Sequence, residues 1–553
     1  MVLFIVAIAM ALVMLAAMGF TTSMRIDHRT ARLQADQRQV EQVAASAEEY
    51  LREWAGATRA ARASYLTNNT VATWFRDVRV DNDPSGLRHG RFSLLTPQYS
   101  LQSPTPRFEF GIAPTSAKLS LEAILKWEQQ SPGQGRFALM QLPGMTQEVA
   151  DAILDWMDAD DEPREFGAES EFYLGLFPPR QPPNRAVEQL DDLLAVRGVT
   201  AWQLFGNEEG IFTIRNPDLL GLGGTNDPAD ELLASDFTGD GAMLGDSAAT
   251  RGESWNTPAA PWSFFLTVHS GERNETATGQ TQIDLNQAQL SKLRQELTER
   301  FNEEIAEFVV AYRSYGRGAA AWDSATEGSI PSQASSRSAQ AMISSQLDLF
   351  DAVVDVPDSQ SSSSSSGRSI KGYRSPFNSR RAASEDADFV RFCDETTVGG
   401  DSLRRGRVNI LNASRPVLMA IPGMTSELVE QLLTIRDQSQ GADANRDDAV
   451  WLLIENVVDL ETMRKLAPNV TVGGDVFQSQ IIAYYDAQSP WVRCEVTIDG
   501  SSPGQPTVYF RDLRRLGRGF RQADLESPAS ETVTSNDNSL SPFGNAILPE
   551  DER

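Results

Sequence analysis

The chain has 553 residues, enough for roughly two to four domains with cores of their own. Its 49 lysines and arginines stand against 76 aspartates and glutamates, and the formal charge of -27 repels polyanions, which disfavours nucleic acid as a partner of the whole chain. The two cysteines, Cys393 and Cys494, belong to no CxxC or Cys/His cluster, so structural zinc is excluded, while one disulfide or two separate thiols both fit.

The first element is VLFIVAIAMALVMLAAMGF, residues 2–20, an uncharged apolar run that as a helix is about 28 Å long and matches the hydrocarbon thickness of a bilayer. Residues 1–24 are therefore predicted as a transmembrane helix. A cleaved signal fits less well, because the run lacks a basic flank and a small-x-small site. No proline occurs between this run and residue 66, and Ile26, Leu33, Val40, Val43 and Ala44 are spaced for one helix face, so the helix should continue into water. Arg25, Arg29 and Arg32 just past the span conflict with export of the large C-terminal part under the positive-inside rule. The conflict lifts if residue 1 lies at or near a processed end, or if the true start lies upstream.

Residues 25–115 complete that helix and begin an α+β region, with a strand expected at Arg107–Ile112. Residues 116–215 form a first helical hairpin domain with an acidic loop, ending in a short helix, turn and helix at EQLDDLLAVRGVTAWQLFG. Residues 216–323 hold a strand, PWSFFLTVHS at 261–270, and a degenerate helical repeat. Residues 324–386, centred on SQSSSSSSGRS, are predicted as a disordered insertion with fluctuating helix around SAQAMISSQLDLF. A second hairpin domain spans 387–475, C-terminal strands 476–521, and a disordered acidic tail 522–553.

LPGMTQEVADAILDWMD at 142–158 and IPGMTSELVEQLLTIRD at 421–437 align without a gap, so the chain holds a duplicated unit. IDLNQAQLSKL and VNILNASRPVLMAI also match each other, and RFNEEIAEFVVAYRSYG from Arg300 keeps the apolar spacing without the Pro-Gly turn. Pro143 and Pro422 should stop the preceding helix, Gly144 and Gly423 should reverse the chain, Thr146 and Thr425 should cap the next helix, and Met145 and Met424 should plug the space between. DNA-binding hairpins of this type carry a second turn glycine; here Met and Thr stand there, with Glu148, Asp151 and Asp155 on the next helix.

In DADDEPREFGAESEFYLG, Asp158, Asp160, Glu162 and Glu169 fall at positions 1, 3, 5 and 12 of a calcium-loop count. Pro163 stands where such a loop needs glycine, and a solvated acidic loop accounts for the same residues, so both readings stand. Asp443, Asn445 and Asp447 alternate in a weaker second candidate. His28, His89 and His269 are scattered, and HExxH, GxSxG and P-loop motifs are missing, so an enzyme is not expected.

The apolar helix running into a polar one, ALMQLPGMTQEVADAILDWMDADDEPREFGAESEFYL, NRAVEQLDDLLAVRGVT, WSFFLTVHS before IDLNQAQL, and RVNILNASRPVLMAIPGMTSELVEQLL together resemble the type II secretion system protein K family, the large minor pseudopilins. The resemblance implies an α+β fold: a transmembrane pilin-like long helix, a pilin-like antiparallel sheet, and an inserted helical domain with duplicated helix-hairpin-helix units. It implies a single-pass protein of the inner membrane, with its bulk in the periplasm, that caps the pseudopilus tip with minor pseudopilins I and J above the major pseudopilin. It also implies calcium, carried over to Asp158, Asp160, Asp161, Glu162, Glu169 and Glu171. Most pilin subunits carry a glutamate at mature position 5, whereas protein K does not; Ile5 stands there, and with Leu12 and Leu15 it is expected to serve assembly in the membrane. The alternatives are a membrane-anchored DNA-binding or DNA-uptake protein and an envelope scaffold that binds only protein.

Overall fold

The computed structural model describes residues 2–66, 74–80, 89–98, 107–206, 260–328, 330, 338–357, 370–379, 387–399, 403–438, 446–485, 490–501, 507–514, 520 and 525. One unbroken helix, Val2–Gly56, leads the chain. Its burial starts at Val40 and continues through Val43, Ala44, Ala47, Leu51 and Trp54, a spacing of three and four residues that keeps one stripe against a sheet. Ile26 and Leu33, expected on the same face, are 59% and 61% exposed, because the sheet meets the helix only from Val40 onward.

The sheet runs in the order 78–80, 90–98, 476–484, 491–499, 507–512, with Arg107–Phe110 pairing 90–98 and Ala113–Pro114 pairing 476–484, all antiparallel. Alternation sorts its faces: Phe477, Ile481 and Ala483 join the long helix, while Ile482 and Tyr484 meet Leu95 and Leu525 on the other side. Within the first core Trp54 sits edge-on to Phe477, with centroids 4.7 Å apart. The strand predicted at 107–112 is observed, ending at Phe110, and the strands predicted within 476–521 are Val476–Tyr484, Trp491–Asp499 and Thr507–Asp512.

Everything from residue 115 to 475 is inserted between adjacent strands of this sheet, Ala113–Pro114 and Val476–Tyr484. The inserted body has its own large apolar core. It holds consecutive helices that contact each other: Gln134–Met140 with Gln147–Met157, Leu290–Arg300 with Glu303–Tyr315, and Arg415–Ala420 with Ser426–Gln438. The first and third pairs pack on each other through Gln134–Met140 and Arg415–Ala420. The second and third pairs each come after a two-residue parallel strand, Ile283–Asp284 and Val408–Asn409. At each, a side-chain oxygen turns the chain: Asp284 Oδ1 accepts from Asn286 N at 2.8 Å and Asn409 Oδ1 from Leu411 N at 2.9 Å.

Several expectations need correction. Within 324–386 the chain is not core-free: Val353–Pro357 and Ile370–Arg374 form an antiparallel hairpin, and Ile343, Leu347, Phe350, Val354 and Phe377 are buried. Phe377 packs on Phe389 and Phe392, so apolar residues flanking the serine run find a core that composition averages hide. The helix expected around SAQAMISSQLDLF is a single 3-10 turn, Gln346–Asp348, and the strand expected over 261–270 is a 3-10 turn, Trp262–Phe264, with only Leu266–Thr267 as strand after it. The helix expected at EQLDDLLA is likewise 3-10, Leu190–Ala195. Cys393 and Cys494 are free and buried in different cores, which removes the disulfide alternative. Among the described residues no helix is long and apolar enough to cross a membrane. The side chains of residues 2–9 and 11, half of the predicted span, lie outside the described ones, as do nearly all of the predicted tail and the core of the serine run.

Candidate metal centre

The first hairpin places the site. Its turn holds Gly144 at φ +68°, a left-handed conformation that suits glycine, and Thr146 accepts from Val149 N to cap Gln147–Met157. Gly423 at φ +87° and Thr425, accepting from Leu428 N at 3.3 Å, repeat the arrangement. Met145 and Met424 are buried in the common core. The Pro143 carbonyl accepts from Trp262 Nε1 at 2.9 Å, which ties the turn to the segment returning from residue 260.

Along Gln147–Met157, Asp151 and Asp155 recur four residues apart and Asp158 stands next as the C-cap, so all three carboxylates leave one side of the helix end. Asp151 and Asp155 are 0% exposed, Asp158 6%. Asp151 is neutralised by a fork from Arg136, whose Nε and Nη2 lie 2.6 and 2.8 Å from its oxygens. Arg164 Nη1 donates to Asp155 Oδ1 at 2.6 Å and to Asp158 Oδ2, and Arg164 N also donates to the Asp155 carboxylate. The loop then closes tightly: a Cβ on Gly167 would lie 1.7 Å from Asp155 Oδ2, so only glycine fits there. Glu169 comes in at the start of the short helix Ser170–Leu174, whose Tyr173 packs edge-on to Trp156 at 4.8 Å and accepts from Arg197 N at 3.1 Å.

Asp155, Asp158 and Glu169 thus bring carboxylate oxygens within 4.8 Å of one another. That span suits ligands on opposite sides of a calcium ion, each about 2.4 Å from it. Asp158 Oδ1, both Glu169 carboxylate oxygens and Asn184 Oδ1 are buried without a hydrogen-bond partner. Asn184, at φ +44°, is held by its Nδ2, which donates to Asp160 O at 2.7 Å. Burial, then the charges of Asp155, Asp158, Asp161 and Asp160, pushes the Glu169 carboxyl up to about 8. Burial also raises Asp155 and Asp158, against the pull of Arg164. Unpartnered oxygens of Asp158 and Glu169 within one carboxylate cluster, with acids that resist ionising together, fit a hard divalent cation.

The calcium-loop count does not describe this arrangement. Asp158 and Glu169 converge, but Asp160, Asp161, Glu162 and Glu171 are exposed: Asp160 Oδ1 accepts from Glu162 N and Asp161 Oδ1 from Ser170 N. The helix ends at Asp158 and the chain turns under Arg164, so the spacing of an EF-hand loop is never used. Asp155, absent from the predicted ligand set, completes the group. Of the second candidate, Asp443 and Asn445 lie outside the described residues. Of the assembly residues, Leu12 and Leu15 are 61% and 70% exposed, and the side chain of Ile5 lies outside the described ones.

Hairpin, acidic turn and the segment to the next short helix fall inside residues 118–204, which match the family model for the type II secretion system (T2SS), protein K. The chain is similar to type II secretion system protein K. A curated relative from Escherichia coli (strain K12), the putative type II secretion system protein K, is 39% identical over 57 residues, covering 10% of this chain and 17% of the relative. The chain thus matches less than a fifth of that protein K's length. A solved structure, the GspK-GspI-GspJ complex from the enterotoxigenic Escherichia coli type 2 secretion system, is similar over 87% of this chain and 98% of the other, with 9% identity and a TM-score of 0.33.

Proposed function

We propose that the chain is a minor pseudopilin of a type II secretion system, anchored in the inner membrane by its apolar helix and capping the periplasmic pseudopilus with minor pseudopilins I and J. The observation that carries the reading is the protein K match on residues 118–204, which coincides with the hairpin and the buried carboxylates. The long helix supports it: Met10, Leu12, Val13, Met14, Leu15, Met18 and Phe20 are exposed along a stretch without a charged residue. The role is one of assembly rather than catalysis. The apolar helix packs among those of its partners, and the inserted body, far larger than the sheet that carries it, obstructs addition of a further subunit above it. Supporting protein export is the consequence of forming that tip.

Calcium is proposed for Asp155, Asp158 and Glu169. The ion would supply the positive charge that these buried acids lack and would cross-link the helix end to the start of Ser170–Leu174. The test is co-expression of the full chain with minor pseudopilins I and J in detergent, then size-exclusion chromatography. A ternary complex supports the tip role; a chain that elutes alone in both calcium and chelator refutes it. Calorimetry on the same protein should give near-stoichiometric calcium binding that disappears in Asp158→Ala.

A further inference from the structure

We propose that the face of the sheet turned away from the long helix is a binding site for a short peptide with one aromatic and one aliphatic anchor, and that the chain's own C-terminal segment occupies it as a displaceable plug. Of the residues after 514, Phe520 and Leu525 are the described ones, and both lie on this face. Leu525 falls in the stretch that composition assigns to a disordered tail, yet it is 1% exposed among Leu95, Ile482 and Tyr484, which are fully buried. Its carbonyl accepts from Arg76 Nε at 3.4 Å. The Arg493 guanidinium lies 5.4 Å from the centre of the Phe520 ring, a cation set against an aromatic face.

The residues that form this face are held by contacts that do not involve the segment. Leu95 stands opposite Gln480, and Arg493 opposite Ile482, in neighbouring paired strands. Tyr484 Oη donates to Asp77 Oδ1 at 3.1 Å, Arg91 Nη1 donates to both Asp77 oxygens at 3.2 Å, and Arg493 Nη2 donates to Gln480 Oε1 at 3.0 Å. A face fixed in this way is preorganised, so it takes a segment as a ligand at little ordering cost on its own side. Charge agrees in sign: Asp524 and Glu526 flank the buried leucine in sequence, while Arg76 and Arg493 border the face. Tethered to the strand that ends at Asp512, the plug is present at an effective concentration on the order of millimolar and keeps the face from other chains. A partner that uses this face has to displace it.

The experiment uses the full chain in detergent, as the parent and with Phe520→Ser and Leu525→Ser together, and reads the fluorescence polarisation of a labelled synthetic peptide of residues 517–530. The substituted chain should bind this peptide at least about tenfold more tightly than the parent, whose own plug competes for the face. A peptide carrying Leu525→Ser should bind the substituted chain at least about tenfold more weakly than the native peptide, because it loses the buried aliphatic anchor. Equal binding by the two chains, binding by neither, or indifference to the Leu525→Ser change in the peptide overturns the proposal. A substituted chain that pairs with itself on size-exclusion chromatography instead of taking the peptide assigns the face to a second copy and overturns it too. Urea unfolding covers the remaining case: if the substituted chain no longer unfolds cooperatively, Phe520 and Leu525 belong to the core of the fold rather than to a ligand, and the proposal falls.

Discussion

At the residue scale the centre turns on Glu169, a carboxyl whose folded value of about 8 stands above its ordinary 4.5. In the cation-free protein the folded state therefore holds more protons than the unfolded chain between those values. Its contribution to stability is fully present below about 4.5 and is lost as the pH rises through about 8, provided no cation replaces the proton. Urea unfolding in chelator should show stability falling across that window, and Glu169→Gln should flatten the fall; a slope unchanged in Glu169→Gln would contradict the burial of this group. Asp155→Asn should weaken calcium binding at least as much as Asp158→Ala, measured by calorimetry, because Asp155 is the more deeply buried of the two. Asp158 and Glu169 were legible because they sit in an acidic segment. Asp155 was not, since an acid in a helix is ordinarily a solvated surface residue. Its signal was present all the same: Asp151, Asp155 and Asp158 recur at helical spacing in a helix whose other residues from Val149 onward, Ala152, Ile153 and Trp156 among them, are apolar.

Elements were legible where local chemistry dictates them. The Pro-Gly turns, the Thr146 and Thr425 caps and the plugging methionines arise from side chains within a few residues of one another. Gly144 offers a clean test, because an added Cβ would meet nothing within 4 Å, so Gly144→Ala should cost about 1 kcal/mol from backbone strain alone, read from denaturant midpoints. A loss well above that would mean the turn makes contacts beyond those seen. The hairpin Val353–Pro357 with Ile370–Arg374 was missed for the opposite reason. Its two strands are five residues each, separated by the serine run, and their value depends on Phe377, Phe389 and Phe392 gathering from elsewhere in sequence. Short 3-10 turns such as Leu190–Ala195 read as helix because their apolar spacing over two turns is the same.

On the scale of the molecule, the insertion was implied only by the family resemblance, and the joint that fixes it was not legible at all. That joint is a buried network in which Arg62 donates to Asp475 at 2.7 Å, Arg273 N also donates to Asp475, and Lys118 Nζ bridges Ser263 O and Gln478 Oε1. Its partners lie hundreds of residues apart, beyond any local pattern. Arg62→Ala should leave Asp475 short of its main partner and cost about 3 kcal/mol, visible as a lower melting temperature. Truncation to residues 25–553 should leave that temperature unchanged, because no described residue before Val40 is buried; a drop would reveal packing by the apolar end. From the end of the apolar run to Val40 the long helix is a bare shaft of about twenty residues, roughly 30 Å, with no proline to bend it. Such a shaft fixes an azimuth as well as a height: each residue removed turns the part from Val40 onward by about 100° relative to the apolar end of the helix. Deleting seven residues within 21–35 should therefore shorten the stalk yet leave the part from Val40 onward at nearly the same azimuth, whereas deleting five should turn it away, although both remove only exposed helix.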